Sequence, residues 1–128
     1  MGSDVVLLKR LRRLEGEPLM TSTTWLPADL CPGLETADVS NRSLYELLSA
    51  EHHHTIVRGT RTLEALLADQ ALAALLETRK GNPLVRLEIL SYVASGRALE
   101  YSVAYHRGDR ARFEFDVANT QSAPEEMA

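Results

Sequence analysis

The chain has 128 residues, 45% of them hydrophobic, 25% charged and 5% aromatic, a balance that excludes a disordered tail, a collagen-like repeat and a small disulfide scaffold and fits one globular domain. Lys and Arg number 14 against 18 Asp and Glu, for a formal net charge of −4, which argues against a direct grip on phosphate backbone. Cys31 is the single cysteine, a usage that suits a reducing cytosol, and no apolar run reaches the roughly 18 residues that would span a membrane.

Residues 1–4 read as a start or a cloning remnant outside the fold. Val5 to Leu14 is rich in apolar and β-branched residues, breaks at Glu15-Gly16-Glu17-Pro18, and gives way to a second extended run from Leu19 to Leu26 carrying Thr21, Thr23 and Thr24. This spacing predicts a hairpin. Pro27 to Val39 reads as a loop. Ser43-Leu44-Tyr45-Glu46 has capping-box spacing and predicts a short helix starting near Ser43. Thr55 to Thr62 is a strand candidate, and Ala68 to Thr78 is an expected helix with Leu72, Leu75 and Leu76 on one stripe and Asp69 near its start. Gly81-Asn82-Pro83 ends it. Leu84–Val93 and Leu99–His106 flank Ala94-Ser95-Gly96-Arg97 as a second hairpin. Arg112 to Val117 alternates Phe113, Phe115 and Val117 with charged residues and predicts a last strand with one wet face. Residues 118–128 read as a loose tail.

The two hairpins form a weak repeat: Gly16 and Gly96 occupy the turns, Leu19 and Leu99 open the return strands, and Trp25 and Tyr105 stand near their ends. The second hairpin is preceded by a helix, whereas the first begins abruptly. The expectation is that the first copy has lost a leading helix and that the chain is the later portion of a longer polypeptide.

Arg10 and Arg12, two apart on a strand, project from one face in a row with Leu8 and Leu14. Like charges at that spacing repel, and burying them without a counter-anion costs several kcal/mol per ion. Either the face is open to water, with Lys9 and Arg13 extending a solvated basic edge, or an anion sits between the two guanidinium forks. Ser43 caps its helix in either case, and a helix start with a hydroxyl and unpaired N–H groups also helps to seat an anion. His52-His53-His54 lacks a carboxylate or cysteine at ligand spacing and is read as no metal site. Glu100, Ser102 and His106 are even steps apart and share a strand face. Residues of one strand do not converge as a nucleophilic triad, so they are either polar groups of a pocket or a solvent face.

Arg10-Leu11-Arg12, Glu15-Gly16-Glu17-Pro18-Leu19, Trp25-Leu26-Pro27-Ala28-Asp29-Leu30-Cys31-Pro32-Gly33-Leu34, Ser43-Leu44-Tyr45, Leu99-Glu100-Tyr101 and Arg107-Gly108-Asp109-Arg110-Ala111-Arg112-Phe113, taken in order, closely resemble the UTRA domain. That domain is the effector-binding module of GntR-type transcription regulators of the HutC subfamily. The resemblance implies an α+β, chorismate-lyase-like fold over residues 5–117, an antiparallel β-sheet flanked by helices, that binds a small metabolite and controls an attached winged-helix domain. It implies a cytoplasmic sensor with no catalytic residue and no cofactor, a homodimer, and operator DNA as a partner only through the winged helix, which this chain does not contain. The family's opening segment is also missing from the match.

In amino-sugar-phosphate-responsive members, an Arg-x-Arg pair and the serine of the Ser-Leu-Tyr helix hold the phosphate. By resemblance these are Arg10, Arg12 and Ser43. The family's tyrosine falls on Tyr45 and its sugar-contacting glutamate on Glu100. Ser22 stands where those members have a glutamate, and His106 where they have a tyrosine, so the expected effector is a small anion, a sugar phosphate or an organic acid, with a different organic part. The alternatives are a ligand-free dimerisation module and a chorismate-lyase-like enzyme.

Overall fold

The computed structural model describes residues 4–33 and 54–118. Within them the chain forms five strands and one short helix: β1 (Val5–Leu14), β2 (Glu17–Pro27), β3 (Ile56–Leu67), α1 (Gln70–Leu75), β4 (Pro83–Val93) and β5 (Ala98–Arg107). All strands belong to one antiparallel sheet in the order β1-β2-β5-β4-β3. The expected helix-flanked architecture is represented in the described residues by α1 alone. Among those residues no helix is long and apolar enough to cross a membrane.

The first hairpin closes through Glu15 and Gly16, with φ of 51° and 84°, between the paired residues Leu14 and Glu17. A two-residue loop with both φ positive matches the right-handed twist of the strands it joins, and glycine takes the second position without steric cost. The second hairpin turns at Gly96, φ 92°, whose N–H donates to the Val93 carbonyl at 2.9 Å. The repeat is therefore real in space. The two hairpins meet through β2 and β5, and the spacing that relates Gly16 to Gly96 also relates Thr23 to Val103, which are register partners at the middle of that junction. Trp25 pairs with Tyr101 at the end of that junction.

α1 starts at Asp69, whose carboxylate accepts from the Leu72 N–H at 2.8 Å. It is shorter than the expected Ala68–Thr78 helix. Glu77 adopts φ 52°, and the Thr78 N–H reaches back to the Ala73 carbonyl at 3.0 Å. That left-handed closure satisfies the terminal carbonyls and stops the helix. Leu76 and Ala73 bury against Ala68 and Leu84, with Leu66, Leu72 and Tyr105 around them. A second cluster of Val6, Leu26, Cys31 and Leu99 packs at the far end of the sheet.

Two further expectations change. β3 runs to Leu67, beyond the expected Thr62, because it pairs with β4 along its length, from Ile56–Val93 to Leu67–Pro83. The expected strand over 112–117 is absent: residues 111–118 are irregular. Alternation made that segment able to form a strand, but β5 is central, with β2 and β4 on its two edges, so the chain leaving it finds no free edge beside it. The exit is fixed instead by the Gly108 N–H on the Pro83 carbonyl at 2.8 Å and by Phe113, edge-on to His106 at 5.1 Å.

Candidate functional site

Alternation along each strand and register across the sheet place Val6, Leu8, Arg10 and Arg12 of β1 on the same face as Met20, Ser22, Thr24 and Leu26 of β2. The register continues this face through Glu100, Ser102, Ala104 and His106 of β5 and Val85, Leu87, Ile89 and Ser91 of β4. Five residues singled out from the sequence, Arg10, Arg12, Ser22, Glu100 and His106, therefore share one sheet face. Ser43 and Tyr45, together with the helix expected at Ser43, lie outside the described residues.

Arg10 stands directly across from Ser22, and Ser22 across from Ala104. Arg12 and His106 lie on either side of Met20 in the next row, about 10 Å apart at two strand spacings. Glu100 lies on β5, two rows from the level of Arg10, which is about 14 Å along the strands and about 10 Å across them. A bound molecule that touched both would have to extend across this face.

Arg10 is half-buried and Arg12 exposed. Burial, followed by the charge of Arg12, pulls the Arg10 guanidinium below its ordinary range. This is the electrostatic cost expected where two cations share an apolar-bounded surface. His106 is also half-buried, its Nε2 is enclosed without a hydrogen-bond partner in the described structure, and burial holds its pKa below the usual histidine value.

Glu100 is 3% exposed, with Ser91 at 0%, Ser102 at 4% and Thr24 at 5%, so the solvent-face alternative for Glu100 and Ser102 does not hold. The Ser91 hydroxyl donates to Glu100 Oε1 at 3.0 Å and the Ser102 hydroxyl to Oε2 at 2.7 Å. Thr24 Oγ1 lies 2.8 Å from Ser102 Oγ. Ser102 spends its one proton on the carboxylate, so Thr24 donates to Ser102. A directed chain of hydroxyls from three strands thus orients Glu100. Thr24 and Ser91 were not singled out from the sequence, because only the register between distant strands brings them to the carboxylate.

Cys31 is fully buried, and burial with the nearby Asp29 charge pushes its thiol up to about 11. His54 bonds the Leu30 carbonyl through Nε2, while His52 and His53 lie outside the described residues. Among the described residues no group of three or more His, Cys, Asp or Glu could hold a metal ion.

Residues 1–112 match the UTRA domain. The chain belongs to the UTRA domain family. This UTRA domain is similar to the HTH-type transcriptional regulator GmuR of Bacillus subtilis, 29% identical over 106 residues, covering 83% of this chain and 44% of that protein. It is also similar to the probable fructoselysine utilization operon transcriptional repressor of Escherichia coli, 25% identical over 115 residues, 90% of this chain and 47% of the relative. The UTRA domain thus spans about half the length of these regulators. Among solved structures, the effector domain of PhnF from Mycobacterium smegmatis superposes with a TM-score of 0.81 at 30% identity, covering 90% of this chain and 70% of that one. The antiparallel sheet described above is the common fold.

Proposed function

We propose that this UTRA domain is the effector-binding part of a bacterial GntR/HutC-type transcription regulator and that it takes a small anionic metabolite, a sugar phosphate or an organic acid, on the arginine-bearing face of its sheet. The observation that carries the reading is the shared face of Arg10, Ser22, Glu100 and His106, with Arg10 half-buried beside a second cation. Two guanidinium forks on one sheet face offer an arriving anion bidentate, charge-assisted hydrogen bonds. Arg10 and Arg12 would anchor that anion with Ser43. Ser22, Tyr45, Glu100 and His106 would read the rest of the molecule, Glu100 by accepting from hydroxyl or amine donors. The similarity to GmuR and to the fructoselysine operon repressor supports a regulatory rather than catalytic role.

In the same reading the fold in full is chorismate-lyase-like with flanking helices, the domain pairs as a homodimer in the cytoplasm, and operator DNA is reached through a winged-helix domain outside this chain. The effector would act by binding one arrangement of the dimer better than another. Isothermal titration calorimetry with a panel of sugar phosphates and organic acids tests the site. Each charge-assisted bond contributes about 1.5–3 kcal/mol, so Arg10→Ala weakens binding by about tenfold to a hundredfold. Equal affinity in wild type and variant would remove Arg10 from the site.

A further inference from the structure

The two ends of the arginine-bearing face differ in what they offer a ligand. Toward Glu100 the polar groups are spent on one another: Thr24 donates to Ser102, and Ser102 and Ser91 donate to Glu100, with all four residues buried. Toward the arginines the register gives two rows, Arg12-Met20-His106-Val85 and Arg10-Ser22-Ala104-Leu87, which β3 extends with Ala65 and Leu63. Past the two cations these rows are apolar apart from Ser22 and His106. Ala104 is buried, and Met20, Val85 and Leu87 are half-buried. Ile89, in the row beside Leu87, continues the apolar surface. Phe113 flanks it, edge-on to His106 at 5.1 Å.

We infer that the effector is an anion with an apolar body, an aromatic ring or a short hydrocarbon, and not the polyhydroxylated ring of a sugar. The inference rests on the proposed anion site at Arg10 and Arg12 and narrows the class of molecule that fills it. Ala104 lies two strand spacings from Arg10, about 10 Å, and Leu87 three, about 14 Å. The arginine side chains span part of that distance, so a ring attached to an anion between their forks comes to rest over Ala104, Leu87 and Val85.

A sugar in that position brings several hydroxyls onto methyl and methylene groups. Each hydroxyl taken from water without a partner weakens binding about fivefold or more, and the hydroxyls of Thr24, Ser91 and Ser102 are already committed to the chain that ends on Glu100. A hydrocarbon body escapes that loss and gains about fourfold for each methylene buried. Ser22 and the enclosed Nε2 of His106 can serve a polar substituent at the edge of such a ring. They cannot serve a full circle of hydroxyls.

Isothermal titration calorimetry of the whole chain with phenyl phosphate, benzoate, glucose 6-phosphate and inorganic phosphate tests it. The tighter of the two aromatic anions should bind at least about tenfold better than glucose 6-phosphate or inorganic phosphate, with the negative heat-capacity change of apolar burial. Comparing phenyl phosphate with benzoate tells a phosphate-seeking site from a carboxylate-seeking one. Leu87→Gln should weaken the aromatic anion about tenfold and leave inorganic phosphate unchanged, while Leu87→Met, which keeps the apolar volume, should bind as wild type does. Circular dichroism checks each fold, and Val85→Thr, closer in shape, should show about a threefold loss where Leu87→Gln does not fold. The inference is overturned if glucose 6-phosphate or inorganic phosphate comes within tenfold of the aromatic anions, or if the folded variants bind them as wild type does. Arg10→Ala separates the two readings. Glucose 6-phosphate binding that is tightest in wild type and lost in Arg10→Ala keeps the anion site and overturns the apolar body. Aromatic binding that Arg10→Ala leaves unchanged, or no binding of any of the four anions, overturns the anion site and this inference together.

Discussion

Replacing Ser102 with alanine probes the hydroxyl chain that holds Glu100. The variant deletes the 2.7 Å donor to Glu100 Oε2, a bond to a charged acceptor worth about 1.5–3 kcal/mol. It also strands the Thr24 hydroxyl, which loses its acceptor at 2.8 Å in a site only 5% exposed, for about 1 kcal/mol more. Ser102→Ala should therefore lower stability by about 2.5–4 kcal/mol. Ser91→Ala removes a single bond to the carboxylate and should cost about 1.5–3 kcal/mol. Thr24→Val leaves Ser102 donating to Glu100 and should cost only about 1 kcal/mol. Urea unfolding followed by Trp25, the single tryptophan, reads the series. At a slope of about 1.5–2 kcal/mol per molar, a 3 kcal/mol loss moves the midpoint by about 1.5–2 M. If Thr24→Val proved as damaging as Ser102→Ala, the hydrogen bonds would not run in the direction assigned, and Glu100 would not be oriented by this chain.

Burial and the raised thiol of Cys31, about 11, predict that iodoacetamide at pH 8 modifies it only after unfolding, as mass spectrometry would register. His106 has a folded pKa held below its unfolded value by burial. The unfolded chain therefore takes the proton first, and stability present at neutral pH declines as pH falls below about 6.5. Comparing urea midpoints at pH 7.5 and 5.5 should show this loss in wild type and a smaller one in His106→Gln. The lowered carboxyls of Asp29 and Asp109, held by Arg97 and Arg107, act only at lower pH. At Gly108 an added Cβ would lie 2.8 Å from the Pro83 carbonyl oxygen, so Gly108→Ala should cost about 1–3 kcal/mol in the same unfolding assay.

Both hairpins were legible in the sequence because each turn has its glycine and each return strand its β-branched or alternating pattern. The shared face of Arg10, Ser22, Glu100 and His106 was only half legible. Parity along one strand groups Arg10 with Arg12 and Glu100 with His106, whereas bringing the groups together needs the β2–β5 register, a long-range pairing without a local signature. The same gap explains the misreading of Phe113, Phe115 and Val117. Their alternation describes a strand that could form, but no local pattern reveals that both edges of β5 are already taken. The helix from Ala68 was overextended because its leucine spacing continues through Leu76, while the left-handed Glu77 that stops it is not a glycine.

Met20–Trp25 and Tyr101–His106 are the only described ladder between the two hairpins. This seam divides the candidate site: Arg10, Arg12 and Ser22 belong to one half, Glu100 and His106 to the other. A metabolite gripped at both ends would act as a splint across the seam, resisting any change in the twist between halves. Occupancy would then be felt as stiffness at the boundary, and slower amide exchange of the central β2 and β5 residues would be its mechanical trace.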